Sequence, residues 1–249
     1  MPITLSVKDR IAEIVFDHPP VNAFDSDMWC ALPGIITEAG SREDVNVVLI
    51  RAEGRGFCGG VDIKEMQAHP ERIVKLNRGN YETFKAVRDC PVPVVTAAHG
   101  FVIGGGIGIC GASDTVIASD DCFFSLPEID RGAMGGASHL SRMFPLHVVR
   151  AAFFTGGRIT AQDAWRLGGI HKIVTREELA GEARAFAAII AAKSRTALLL
   201  AKQALNGLEA RDVDHGYRFE QGFTLEMYMH EDSQKARDAF VDGGKTAKY

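Results

Sequence analysis

Glycine placement most constrains what this chain can fold into. Glycine fills 26 of 249 positions, above the usual ~7%. It clusters at Gly54 to Gly60, Gly104 to Gly111 and Gly132 to Gly136. Each cluster follows or borders an apolar run. Backbone without Cβ atoms at such junctions points to turns that approach a ligand closely.

Between the clusters, Ile11 to Phe16, Val45 to Ile50, Val92 to Ala97 and Thr115 to Ala118 are short runs rich in β-branched residues and read as strands. Ile73, Leu76, Phe84 and Val87 can share one helix face, as can Leu179, Ala183, Phe186 and Ile190, and Leu198, Ala201, Leu205 and Leu208. Strand signals thin out after Ala118, so the pattern predicts an α/β front half and a mostly helical rear. Pro33, inside the apolar pattern from Met28 to Ala39, is expected to end or kink that helix.

Several function classes are disfavoured. Lys plus Arg is 28 and Asp plus Glu is 32, a net charge of 28 − 32 = −4. Nucleic-acid binding needs a basic footprint that this balance does not supply. No apolar run is long enough to span a membrane, and the start, Met1 to Leu5, has no basic segment followed by an apolar one, so a cytoplasmic protein is expected. The cysteines Cys30, Cys58, Cys90, Cys110 and Cys122 lack paired or metal-site spacing and read as small buried residues in a reducing compartment. The histidines also lack metal spacing, so no metal is expected.

Three segments could carry chemistry. Arg55 to Met66 places glycines before a helix expected to begin near Asp62. Free N–H groups there could hold a developing anion, although a plain turn with an Asp cap fits equally well. Gly104 to Gly111 contains a literal G-x-G-x-x-G at Gly106, Gly108 and Gly111, which invites a dinucleotide site. His99 to Ile103 separate those glycines from the preceding strand, however, and the turn of that fold is normally immediate. In Ser125 to Gly132, Glu128 is flanked by Leu126, Pro127 and Ile129. Buried, it would have a raised pKa suited to acid–base work; on the surface it would be ordinary. Gly216 to Met229, with Tyr217, Phe219, Phe223 and Met227, suits a core or subunit-contact helix better than a cofactor site.

In this order and spacing the segments resemble the crotonase family, the enoyl-CoA hydratases and isomerases. Asp17 to Ala23 resembles its opening motif, Gly56 to Met66 and His99 to Gly108 its two oxyanion segments, and Pro127-Glu128-Ile129 its catalytic-glutamate segment. Thr155 to Thr160 and Asp238-Ala239-Phe240 resemble later stretches. The resemblance implies an α/β fold, a ββα spiral core over 1–195, with a helical C-terminal trimerisation region over 196–249. It also implies a homotrimer or dimer of trimers and an acyl-CoA thioester substrate, with coenzyme A entering as part of the substrate and no separate cofactor. By position, the oxyanion donors are the N–H groups of Val61 and Gly105, Glu128 is the acid–base residue, and Ala23, Asp62, Ile63 and Lys64 line the bound CoA. Two such donors make a thioester enolate accessible without a metal.

The family's hydratases usually carry a second glutamate where this chain has Gly108. Two-carboxylate hydration is therefore disfavoured, and the bare glycine suggests room for a bulky substrate. Arg51 to Phe57, Arg131-Gly132-Ala133, Leu140-Ser141-Arg142 and Tyr217 to Thr224 further resemble bacterial crotonases that open a ring of steroid-derived CoA thioesters. Hydrolytic C–C cleavage of a cyclic β-keto acyl-CoA is thus the expected activity. An enoyl-CoA isomerase or hydratase is the alternative within the family; an NAD-dependent dehydrogenase and a non-catalytic scaffold are the alternatives outside that chemistry. Asp130, Arg131 and His139 are candidates for polar help, and Gln67 to Asn80 is expected to be a flexible flank of the acyl pocket.

Overall fold

The computed structural model describes residues 2–209, 213–229 and 231–242. Its framework is a six-stranded sheet in the order Ile3–Lys8, Ile11–Phe16, Val47–Ala52, Val94–Ala98, Thr115–Ser119 and Lys172–Val174. The first pair is antiparallel and the rest run parallel. Val47 and Leu49 face a core under the Leu179–Ala191 helix, while Val48 and Ile50 face the main core. Burial on both faces explains why this strand reads as a continuous apolar run. The strand expected from Val92 begins at Val94, after Pro93, which has no N–H to donate to a ladder.

A strand–strand–helix turn repeats along the chain. Ile11–Phe16 leads to Ala23–Phe24 and the helix Ser26–Ser41, and Val47–Ala52 leads to Gly60–Val61 and the helix Ile63–Ala68. Val94–Ala98 leads to Phe101–Ile103 and the helix Gly105–Ala112. The second strands form a smaller layer: Ala23–Phe24 pairs with Gly60–Val61, and Phe101–Ile103 with Phe123–Ser125 and then Arg158–Thr160. A Cys58–Val102 bridge links the two parts. This is the expected ββα spiral. Among the described residues, the strands after Thr115–Ser119 are only three residues long, too short to show a period.

Asn22, in the opening motif, is buried and ties the layers together. Its side-chain NH2 donates to the carbonyls of Glu53 and Gly56, each at 2.9 Å, and its Oδ1 accepts from His18 N at 2.7 Å. That fixes the loop leading to Gly60–Val61.

Pro33 does not end its helix: Ser26–Ser41 runs through it. A proline leaves the carbonyl four residues back, that of Trp29, without its helical donor. Thr83 Oγ1, on the facing helix Ile73–Arg88, donates to that carbonyl at 3.0 Å. Gly79 permits the approach, since a Cβ there would fall 3.0 Å from Cys30 N.

The rear is helical as expected. Arg195–Leu208 leaves Leu200, Leu205 and Leu208 exposed, and Val213–Tyr228 leaves Phe219 and Phe223 exposed. The end of the expected 196–249 region, 243–249, lies outside the described residues. Among the described residues no helix is long and apolar enough to cross a membrane.

Replacing Thr83 with Val strands the Trp29 carbonyl and should lower stability by about 1–3 kcal/mol in denaturant titrations. In a Pro33→Ala background residue 33 regains its N–H, and the same replacement should then be nearly neutral. Additive effects of the two substitutions would contradict this account.

Candidate active site

The two glycine segments and Glu128 converge on one cavity. Val61, Gly105 and Glu128 all line it, with Ile63 and Gly104 beside them. Val61 ends the short strand paired with Ala23–Phe24. Asp62 N, one residue on, donates to Phe24 O at 2.9 Å. N–H groups alternate in direction along a strand, so the Val61 N–H lies on the side away from that partner. Gly105 is the first residue of the Gly105–Ala112 helix, where N–H groups have no intrahelical acceptor. The two segments touch: a Cβ on Gly60 would sit 3.2 Å from Ile103 O and 3.8 Å from Gly104 Cα.

Glu128 rides on the one-turn 3-10 helix Pro127–Arg131. A Cβ on Gly104, whose φ is +53°, would fall 2.4 Å from Glu128 Oε1. Only glycine lets the carboxyl lie against this backbone, next to the Gly105 N–H. Glu128 Oε2 is buried and has no hydrogen-bond partner among the described residues. Desolvation pushes its pKa up to about 8, opposed by its own backbone and by Arg131 and assisted by Glu220. The surface alternative for Glu128 is therefore set aside.

Other expected residues fall less centrally. Asp62 is a helix cap, accepting from Lys64 N at 2.9 Å, and Ala23, Asp62 and Lys64 do not line the cavity. Gly108 does not line it either, and the open room expected there is absent. Phe84 fills that space, its Cζ 2.2 Å from where a Cβ would stand. The dinucleotide reading, already disfavoured by the spacing from the preceding strand, gains nothing here: Gly106, Gly108 and Gly111 lie inside the buried helix rather than in a turn. His139 packs edge-on between Phe84 and Tyr217, and burial holds its pKa down at about 3, so it stays neutral. The Gln67 to Asn80 flank is mostly helical, with Ile73, Leu76, Asn77 and Asn80 on the cavity wall.

Sequence reasoning missed the far wall. Tyr217, Thr224 and Tyr228 come from the Val213–Tyr228 helix and Arg237 from Glu231–Val241. The available signals were the Tyr217 to Thr224 motif, read as a core or subunit-contact helix rather than as cavity wall, and Arg237, which shares a buried stripe with Ser233 and Ala236 at helical spacing, where a solvated arginine would not belong.

Residues 6–247 match the sequence model of the enoyl-CoA hydratase/isomerase family. A Rhodococcus jostii protein described as (7aS)-7a-methyl-1,5-dioxo-2,3,5,6,7,7a-hexahydro-1H-indene-carboxyl-CoA hydrolase is 47% identical, over 95% of this chain and 93% of its own. A Mycobacterium tuberculosis protein of the same description is 44% identical, over 97% and 99%. An enoyl-CoA hydratase structure from Mycobacterium avium subsp. paratuberculosis superposes with a TM-score of 0.89 at 20% identity, covering 100% of this chain and 99% of that one, a likeness of fold.

Two outcomes follow from the geometry. Gly108→Glu should destabilise the protein by about 1–3 kcal/mol or more through collision with Phe84, with no gain of hydratase activity; a stable, hydrating variant would contradict the packing. For Glu128 the folded pKa lies above the unfolded one, so its contribution to stability is full below about pH 4.5 and is lost as pH rises through about 8. Glu128→Gln should therefore melt higher than the parent at pH 9, with the gap closing toward pH 5.

Proposed function

The chain belongs to the enoyl-CoA hydratase/isomerase family, and on that premise we propose that it hydrolyses a C–C bond in a ring of a steroid-derived acyl-CoA thioester. The observation that carries this is that Glu128 is the one carboxyl among the described residues lining the cavity, set against the Gly104–Gly105 backbone, while Phe84 fills the place of a second one. The two hydrolases of the hexahydroindene-carboxyl-CoA support the substrate class.

In this mechanism the thioester oxygen accepts hydrogen bonds from the Val61 and Gly105 N–H groups. Glu128, as carboxylate, takes a proton from water while the water oxygen bonds to a ring ketone carbon. The adduct collapses to a carboxyl group and the ring C–C bond breaks. Its electron pair moves into the thioester enolate, and the proton on Glu128 returns to carbon. One water is added and one C–C bond is lost. Each preorganised donor lowers the barrier by roughly 2.7–4 kcal/mol. No separate cofactor is needed, because coenzyme A arrives on the substrate.

The exposed leucines and phenylalanines of the last helices support a homotrimer or dimer of trimers, built through residues 196–249 on a core of 1–195. The five free cysteines support a cytoplasmic location.

Turnover of the hexahydroindene-carboxyl-CoA in 18O-water should place one 18O in a new carboxylate, read by mass spectrometry. A straight-chain trans-2-enoyl-CoA should keep its conjugated thioester absorbance; rapid loss would mark a hydratase instead. Glu128→Gln should reduce turnover by about 10²–10⁴-fold while CoA-ester affinity is retained. In the parent, kcat/KM should rise roughly tenfold per pH unit below about pH 8 and level above it, as the base form accumulates.

A further inference from the structure

Two arginines reach the cavity from separate elements. Arg131 ends the turn that carries Glu128, and Arg237 lies on the Glu231–Val241 helix. Both line the same cavity as Glu128, and Arg237 is only 2% exposed. Aromatic faces hold them: Arg131 lies 4.2 Å over Phe240 and Arg237 4.2 Å over Tyr228. Arg237 also donates to Ser233 Oγ and, at 2.7 Å, to Gln234 Oε1. Among the described residues neither forms an ion pair with a carboxylate, and the Nε of each is buried without a partner. Glu128 supplies little compensating charge at neutral pH, because burial keeps it largely protonated.

Arg237 is buried and Arg131 half-buried, with Asp130 beside Arg131 but no ion pair to either guanidinium among the described residues, so both carry a desolvation penalty that is not fully offset. An arriving or developing anion relieves it, and the planar guanidinium fork matches a carboxylate. Hydrolytic ring opening creates such an anion, since a neutral ketone becomes first an oxyanion and then a carboxylate. We propose that Arg131 and Arg237 form a second anion site, separate from the Val61 and Gly105 donors, that receives the oxygens of the attacked ketone as they become a carboxylate. The proposal rests on the hydrolase reading. It assigns the two ends of the breaking bond to different anion sites: backbone N–H groups hold the enolate and side-chain cations the carboxylate. Charge is then stabilised where it develops rather than where the substrate is neutral.

The test compares two probes that differ only at the chain end: pimeloyl-CoA, which carries a terminal carboxylate, and heptanoyl-CoA, which does not. Calorimetric titration of the full-length protein should show pimeloyl-CoA binding roughly tenfold or more tightly. Arg131→Met should bring the two within about twofold with heptanoyl-CoA unchanged, and Arg131→Lys should keep part of the preference. Equal affinities in the parent, or an undiminished preference in Arg131→Met, overturn the site. If the Met variant does not fold, Arg131→Lys decides: a reduced preference with unchanged heptanoyl-CoA binding supports the site, and an unaltered one overturns it. Ring-opening turnover without a carboxylate preference sinks the anion site alone. A preference without turnover of any cyclic β-keto acyl-CoA leaves the site standing and removes the hydrolase reading.

Discussion

Close packing against the helix Gly105–Ala112 holds this molecule's working parts together. All eight of its residues are buried, and several neighbours press against backbone where side chains would otherwise stand. A Cβ on Gly105 would meet the Trp29 ring at 2.4 Å, one on Gly106 the Cys58 Cβ at 2.9 Å, and one on Gly111 the His139 carbonyl at 2.4 Å. Successive turns of the spiral can therefore close on one helix. The same absence of side chains brings Gly60–Val61 beside Gly104–Gly105 and lets Glu128 rest against both the helix start and the cavity. Replacing any of these glycines would spread the layers and disturb a site whose proposed donors are main-chain groups, which cannot reorient on their own.

That packing also sets the electrostatics. Apolar walls and excluded water make Glu128 a weak acid rather than an exposed carboxylate, and they keep His139 neutral between two rings. Glu220 is likewise pushed up, to about 7, even though it accepts the Ser138 N–H at 2.8 Å. Its role is to secure the loop entering the Ala137–Met143 helix beside the cavity. The desolvation that tunes Glu128 also makes the unpaired cations Arg131 and Arg237 effective, since charge interactions strengthen as water leaves.

Much of the fold was legible because its signals are local. The helix Ile73–Arg88 buries the residues whose spacing announced it, and Ile11–Phe16 is a strand over the predicted range. Pro33 misled because its remedy is not local: the donor for Trp29 O comes from Thr83, far along the chain. Gly108 misled for the same reason. A missing side chain looks like space in a sequence, yet here it is the seat of Phe84.

The sequence by itself determined the glycine punctuation, the alternation of strands and helices, the family and Glu128 as the acid–base candidate, because these depend on residue type and short-range spacing. Only the tertiary structure decided that Glu128 is desolvated, that Phe84 closes the space beside Gly108, and that Tyr217 and Arg237 complete the cavity. Those facts depend on which distant segments share a small volume. Burial, pKa and counter-charge are properties of that shared volume rather than of any one stretch of chain.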